Sequence, residues 1–230
     1  MIDQEHYDHQ RFSGARTLLE HADLRPGVVP TDLAGRKALL EPMVRAAWDC
    51  EQRGGRSLEE VAAELYAAAD LMESGDDAPL RGITGTPEVL RAIAEHVAIW
   101  RSTQREADPV RTSGELAVRF PALTDMLVVY YGQDGIAVEE YPDDPRRSLQ
   151  VVVDDWHPWC ASYMPPLAAQ CQEALTLFQT EEALEQFFTA DHGGDSCGLP
   201  WLEWLPLVID VVTEHLRAHH PLRWQPARPR

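Results

Sequence analysis

The apolar positions of this chain recur mostly at helical spacing. Ser57 with Glu60 forms a capping-box pattern, and Val61, Leu65, Ala68 and Leu71 or Met72 follow on one face, which predicts an amphipathic helix. Thr86-Pro87-Glu88 is another start signal, because a first-turn proline lacks only an N–H that would have had no partner. Leu90, Ile93, Val97 and Trp100 extend it as a stripe to about Arg105. Thr31 and Asp32 are candidate N-caps for a helix through Leu40. Pro42 is expected to open a separate piece carrying Met43, Val44, Ala47 and Trp48 before Gly54-Gly55 stops it. Residues 1 to about 30 read as a polar arm with at most one short helix around Thr17 to Ala22.

In the second half, an apolar segment runs from Phe120-Pro121 through Met126, Leu127, Val128, Val129, Tyr130 and Tyr131. Its period does not separate helix from strand, and its surroundings favour helix. Asp144-Pro145 predicts a helix carrying Leu149, Val152 and Val153 to Trp156, and Pro165-Pro166 is expected to open one with Leu167, Cys171, Leu175 and Phe178. Thr180, with Glu181 and Glu182 in the first turn, caps another bearing Leu184, Phe187 and Phe188. Pro200 opens the last, with Trp201, Trp204, Leu205, Val208, Val212 and Leu216 on one face. Only Met126 to Tyr131 and Leu149 to Val153 are rich in strand formers, and no Asn-Gly or Asp-Gly turn joins alternating runs. The expected fold class is all-α, a bundle-like globular protein of roughly eight helices. The polar stretch Arg105 to Gly114, with Pro109, is the candidate linker, giving regions 1–110 and 111–220 and a frayed tail 221–230, or one continuous domain.

Charge changes this picture more than overall composition does. Thirty-eight Asp and Glu against 20 Lys and Arg give −18 at pH 7, a field that repels phosphate backbones and anionic lipid. Nucleic acid is therefore not an expected ligand. The same field speeds encounter with a basic macromolecule, although solubility is the alternative reading. No apolar run approaches the ~18–20 residues of a membrane helix, the best, Leu205 to Val212, being broken by Pro206 and Asp210. The opening residues lack the basic and then apolar pattern of a secretory signal, so a cytoplasmic location and no membrane partner are expected. Cys50, Cys160, Cys171 and Cys197 form no C-x-x-C pair and read as small buried hydrophobes.

Nucleotide-binding and zinc-protease signatures are absent: there is no G-x-G-x-x-G, G-x-x-x-x-G-K-[ST] or H-E-x-x-H. The string Gly194-Asp195-Ser196-Cys197-Gly198 follows no expected strand and so is no G-x-S-x-G nucleophile elbow; neither an enzyme nor a cofactor is expected. The most metal-like cluster is Asp191-His192-Gly193-Gly194-Asp195-Ser196-Cys197, with His157, His219 or His220 as conceivable completions. A polar loop between helices is the more economical reading, and no metal is expected. His215 and His219 have i, i+4 spacing in a last turn, where histidines complement the helix dipole. Glu139, Glu140, Asp143 and Asp144 lie in a proline-containing loop, with Asp154-Asp155 one helix later. Paired carboxylates can do acid–base work, but no companion nucleophile accompanies these, leaving a solvated face or a docking surface for a cationic partner. Trp156, Trp159, Tyr130, Tyr131, Tyr141 and Tyr163 crowd the same half, as core or as the aromatics of a hot spot for an Arg-rich partner.

The order of features over residues 120–218 carries a family resemblance. An apolar helix, Leu123 to Leu127, leads to Tyr130-Tyr131-Gly132-Gln133-Asp134; an acidic loop, Glu139 to Asp144, follows. Then come two helices, the element Thr180-Glu181-Glu182-Ala183-Leu184, the Gly193-Gly194 loop and the final Trp204-Leu205 helix. This order resembles the helical immunity proteins of bacterial contact-dependent growth inhibition systems. The resemblance implies a compact α-helical protein that binds a toxic domain delivered by a neighbouring cell, commonly a nuclease, and blocks it one-to-one without chemistry of its own. It departs from the family at Gly135, where the pattern has an aromatic residue. On this reading the cognate toxin domain is basic, and its contact surface is expected among Asp134, Glu139, Glu140, Asp143 and Asp144; Gln133 and Asp134 have the alternative role of a polar pair in a buried turn. Residues 1–110 are not covered. The other readings are a helical metal-assisted hydrolase using the Asp191–Cys197 loop, and a helical scaffold or regulator.

Overall fold

The computed structural model describes residues 10–20, 30, 32–75, 80–103, 110–132 and 135–223, and every regular element among them is helical. The helices are α1 Ser13–Glu20, α2 Leu33–Glu51, α3 Leu58–Ser74, α4 Pro87–Thr103, α5 Ser113–Ala117, α6 Pro121–Tyr130, α7 Ile136–Glu140, α8 Pro145–Trp156, α9 Cys160–Leu177, α10 Glu181–Leu184 and α11 Trp201–His219. A π-helical turn, Glu185–Asp191, continues α10. The all-α expectation holds, with eleven helices among the described residues where roughly eight were expected.

Two expected helix starts are not starts. Asp32 caps a single helix through Pro42, its carboxylate accepting the Gly35 N–H at 2.7 Å. An interior proline costs ~3 kcal/mol. Here the Ala38 carbonyl that loses its donor sits at an exposed position, while Leu40, Met43, Val44 and Ala47 are all buried, which requires one unbroken face. Each such burial contributes ~1.5–3 kcal/mol for the larger side chains and outweighs the proline. Likewise α9 begins at Cys160 and runs straight through Pro165-Pro166. The buried stripe Cys160, Met164, Leu167, Cys171 and Ala174 spans the pair, and the carbonyls left without donors belong to exposed Ala161 and Ser162.

The chain divides into two compact units, Met1–Arg119 and Phe120–Arg230. The division falls after α5 rather than within the polar stretch 105–114. Burial of Glu115 explains this: Arg45 on α2 donates to its two oxygens at 2.9 and 3.0 Å, and Arg111 adds a bond at 2.8 Å. Thus α5 is held against α2 by charge, in a segment whose apolar pattern is too weak to show where it belongs.

Within the first unit, α3 and α4 pack most closely. They run antiparallel, because Arg91 at the start of α4 pairs with Asp70 and Glu73 at the end of α3, while Arg101 at the end of α4 lies by Glu59 at the start of α3. Those ion pairs are exposed and each contributes ~0–1 kcal/mol. The apolar seam of Leu65, Ala68, Leu90, Ile93, Ala94 and Val97, all at most 1% exposed, does the holding. Ser57 and Glu60 form the expected capping box on α3.

The second unit has an aromatic interior. Phe178 stacks on Phe187 at 4.7 Å, and Trp201 meets Trp204 at 5.2 Å and Phe188 at 5.0 Å. The π turn brings two successive residues, Phe187 and Phe188, into that interior together. Pro200 precedes α11 and supplies no cap side chain; the Glu181 carboxylate of α10 instead accepts the N–H groups of Trp201 and Leu202 at 2.6 and 2.9 Å. A carboxylate there satisfies unpaired donors and complements the helix dipole.

Candidate functional site

The acidic residues expected to face a partner divide by role. Glu139 and Glu140 end α7, and Asp143 and Asp144 lie in the turn before α8; all four are exposed. Asp144 has a structural duty, its Oδ1 accepting the Arg147 N–H at 3.1 Å as the N-cap of α8. The side chains of Glu139, Glu140 and Asp143 make no ion pair or hydrogen bond among the described residues. The two arginines nearest in sequence are occupied elsewhere: Arg146 pairs with Glu214, and the Arg147 guanidinium lies over the Tyr141 ring at 4.9 Å. Asp134 lies outside the described residues.

Gly135 has a backbone reason to be glycine. A Cβ there would lie 2.5 Å from the Tyr130 carbonyl oxygen and 2.8 Å from the Tyr131 nitrogen, so the turn after α6 closes on itself too tightly for a side chain.

Of the aromatics, Tyr131 is core. Its hydroxyl is 2.9 Å from Ser148 Oγ, and burial pushes its pKa well above the ordinary tyrosine value. Tyr130 is mostly buried, bonds Asp155 through its hydroxyl, and is pushed up to about 12 by burial first and by that carboxylate second. Trp156 lies between Tyr130 and Tyr163, at 6.2 and 5.8 Å. Tyr163 and Trp159 are exposed, by 56% and 68%, and so are not core residues.

The Asp191–Cys197 loop does not gather its donors. The Asp191 carboxylate accepts from Gln186 at 2.7 Å, and that of Asp195 accepts the Cys197 N–H at 2.6 Å. His192 packs edge-on against Phe187 at 4.6 Å, and Cys197 is buried against Ser148. Two backbone bonds, Gly194 N–H to Phe188 and Asp195 N–H to Tyr131, tie the loop to the core; Gly193 has a positive φ of 68°, and a Cβ on Gly194 would stand 3.0 Å from the Phe188 carbonyl oxygen.

A different group does converge. His157 follows α8, Cys160 begins α9, His215 lies in the penultimate turn of α11, and His220 is its C-cap. One ligand atom from each lies within 4.8 Å of all the others, the sole such group of three or more His, Cys, Asp or Glu side chains found among the described residues. Cys160 Sγ is 3.8 Å from His157 Nδ1. The His157, His215 and His220 ring centroids are 5.2–5.9 Å apart. Cys160 is fully buried, and the Nε2 atoms of His215 and His220 are buried with no hydrogen-bond partner. Burial lowers the His215 pKa, and the neighbouring His219, His220 and His157 lower it further, against an opposing pull from Asp154. Burial raises that of the Cys160 thiol. His219, the i, i+4 partner expected for His215, is exposed and stands outside the group. Sequence reasoning missed the set because its signals are two separate pairs, H-x-x-C at 157–160 and His215 with His220, which only folding brings together. Comparison with protein-family models, curated proteins and solved structures finds no match.

Proposed function

We propose that this protein is an immunity protein that binds a cognate bacterial toxin domain one-to-one and blocks it. The observation that carries the reading is the exposed carboxylate group Glu139, Glu140 and Asp143, which has no basic partner among the described residues. It sits in a unit whose residues 120–230 contain 17 Asp and Glu against six Arg and no Lys. A toxin with a basic, phosphate-binding surface, as a nuclease has, is the complementary partner: carboxylates occupy its anion sites and steer the encounter. The exposed Trp159 and Tyr163 are of the residue types that anchor such interfaces, through apolar contact and stacking with arginine. The order of elements over 120–218 supports the same reading.

The test is capture of tagged protein from its native cells at low and at high salt, because steering between exposed charges is screened over ~10 Å at 0.1 M ionic strength. Recovery of one basic toxin domain at equal stoichiometry, and loss of that toxin's activity on mixing, is the expected result. Recovery of no toxin domain from cells shown to express one refutes the reading.

A further inference from the structure

We propose that His157, Cys160, His215 and His220 form a binding site for one Zn²⁺ ion, which fastens the end of α11 to the α8–α9 turn. The site stands on its own geometry, whatever the partner of the acidic loop.

Two independent observations point to a ligand. The first is the donor set: three imidazoles and one thiol, the borderline and soft ligands that zinc takes in tetrahedral sites. With Zn–N and Zn–S bonds of ~2.0–2.3 Å, tetrahedral ligand atoms stand roughly 3.3–3.8 Å apart. The Cys160–His157 edge, at 3.8 Å, already has that length, and no edge in the set exceeds 4.8 Å, about 1 Å beyond it. The second is the pair of orphaned atoms. His215 Nε2 and His220 Nε2 are buried without a hydrogen-bond partner, an unfavourable state for a polar atom that a metal bond would relieve.

The sequence explains how the site is built. Pro158 and Trp159 turn the chain between α8 and α9, so that His157 and the first residue of α9 face one another. On α11, His215 and His219 lie on one helical face, but it is His220, leaving the helix at φ −130°, that turns back toward His215. Four protein ligands fill a tetrahedral shell and leave no open position for substrate water, so the role is structural. Binding requires the thiolate, and the Cys160 proton is released to solvent as the ion enters.

The experiment uses the full-length protein, stripped with chelator and then titrated with Zn²⁺ alone and, separately, with Co²⁺ alone. Expected are one equivalent of Zn²⁺ retained after dialysis, a rise in unfolding temperature, and a Co²⁺ spectrum with intense tetrahedral d–d bands and a thiolate-to-cobalt charge-transfer band. Cys160→Ser should abolish the charge-transfer band, and Cys160→Ser and His215→Gln should each weaken Zn²⁺ binding at least about tenfold, whereas His219→Gln should leave it unchanged. A protein that retains no Zn²⁺, a Co²⁺ complex without the thiolate band, or Zn²⁺ affinity unchanged in Cys160→Ser/His215→Gln overturns the proposal. The spectrum of the unsubstituted protein decides the matter even if the double variant fails to fold.

Discussion

Replacing Glu115 with alanine tests whether charge, rather than apolar area, holds α5 in the first unit. The Glu115 carboxylate has no exposed surface and accepts three guanidinium bonds, at 2.9 and 3.0 Å from Arg45 and at 2.8 Å from Arg111. Removing one partner of a buried pair costs ~3–5 kcal/mol because the other charge is left uncompensated. In this case the residual charges are partly compensated. Arg111 keeps Asp49 at 2.8 Å, and Arg45 keeps Glu41 at 3.9 Å with its side chain 11% exposed. The expected loss is therefore below that range, about 2–3 kcal/mol. Urea unfolding followed by helical circular dichroism reads it directly: with m of ~1–3 kcal/mol/M, the midpoint of the first unit should fall by on the order of 1 M. Arg45→Leu/Glu115→Leu should recover much of the loss, since both charges then leave the interior together. A single variant costing under about 1 kcal/mol, or a double variant as unstable as the single, refutes the assignment.

Other outcomes follow from the same geometry. Asp144→Ala should cost ~0.5–2 kcal/mol through loss of the α8 N-cap, whereas Asp143→Ala, exposed and unpaired among the described residues, should stay within ~0.5 kcal/mol of the parent; chemical denaturation separates them. Charge reversal at Glu139, Glu140 and Asp143 should slow association with a basic toxin domain and flatten its salt dependence while leaving the unfolding midpoint nearly unchanged, read by stopped-flow binding. Gly135→Ala should destabilise the second unit by ~1–3 kcal/mol, because backbone rather than a movable side chain stands 2.5 Å from the new Cβ. In alkali, Tyr130 and Tyr131 have folded pKa values raised above the ordinary 10, so their contribution to stability is complete below pH 10 and falls away above it. For Tyr130 the loss runs to about pH 12, and Tyr130→Phe should make the alkaline decline shallower in denaturation midpoints measured against pH.

What the sequence by itself determined is local. Capping residues and apolar stripes marked α3, α4, α8 and α11 because their signals lie within a turn or two of the backbone they govern: Ser57 with Glu60, Pro87, Asp144-Pro145 and the Trp201–Val212 face. The acidic run was legible as exposed but not as a loop, since Glu139 and Glu140 end α7 and only Asp143 and Asp144 lie in the turn before α8. What only tertiary structure decided involves residues far apart in the chain. The prolines at 42, 165 and 166 do not end helices, because a buried face spanning them outweighs a local penalty. Glu115, on a short and weakly patterned helix, fixes the extent of the first unit through Arg45, seventy residues away. The cap of α11 comes from Glu181 rather than from its own first turn. The histidines at 157, 215 and 220 and Cys160 acquire meaning only when the end of α11 packs beside the α8–α9 turn, because ligand convergence is a property of distances in space, and spacing along the chain records it only when all the ligands share one element.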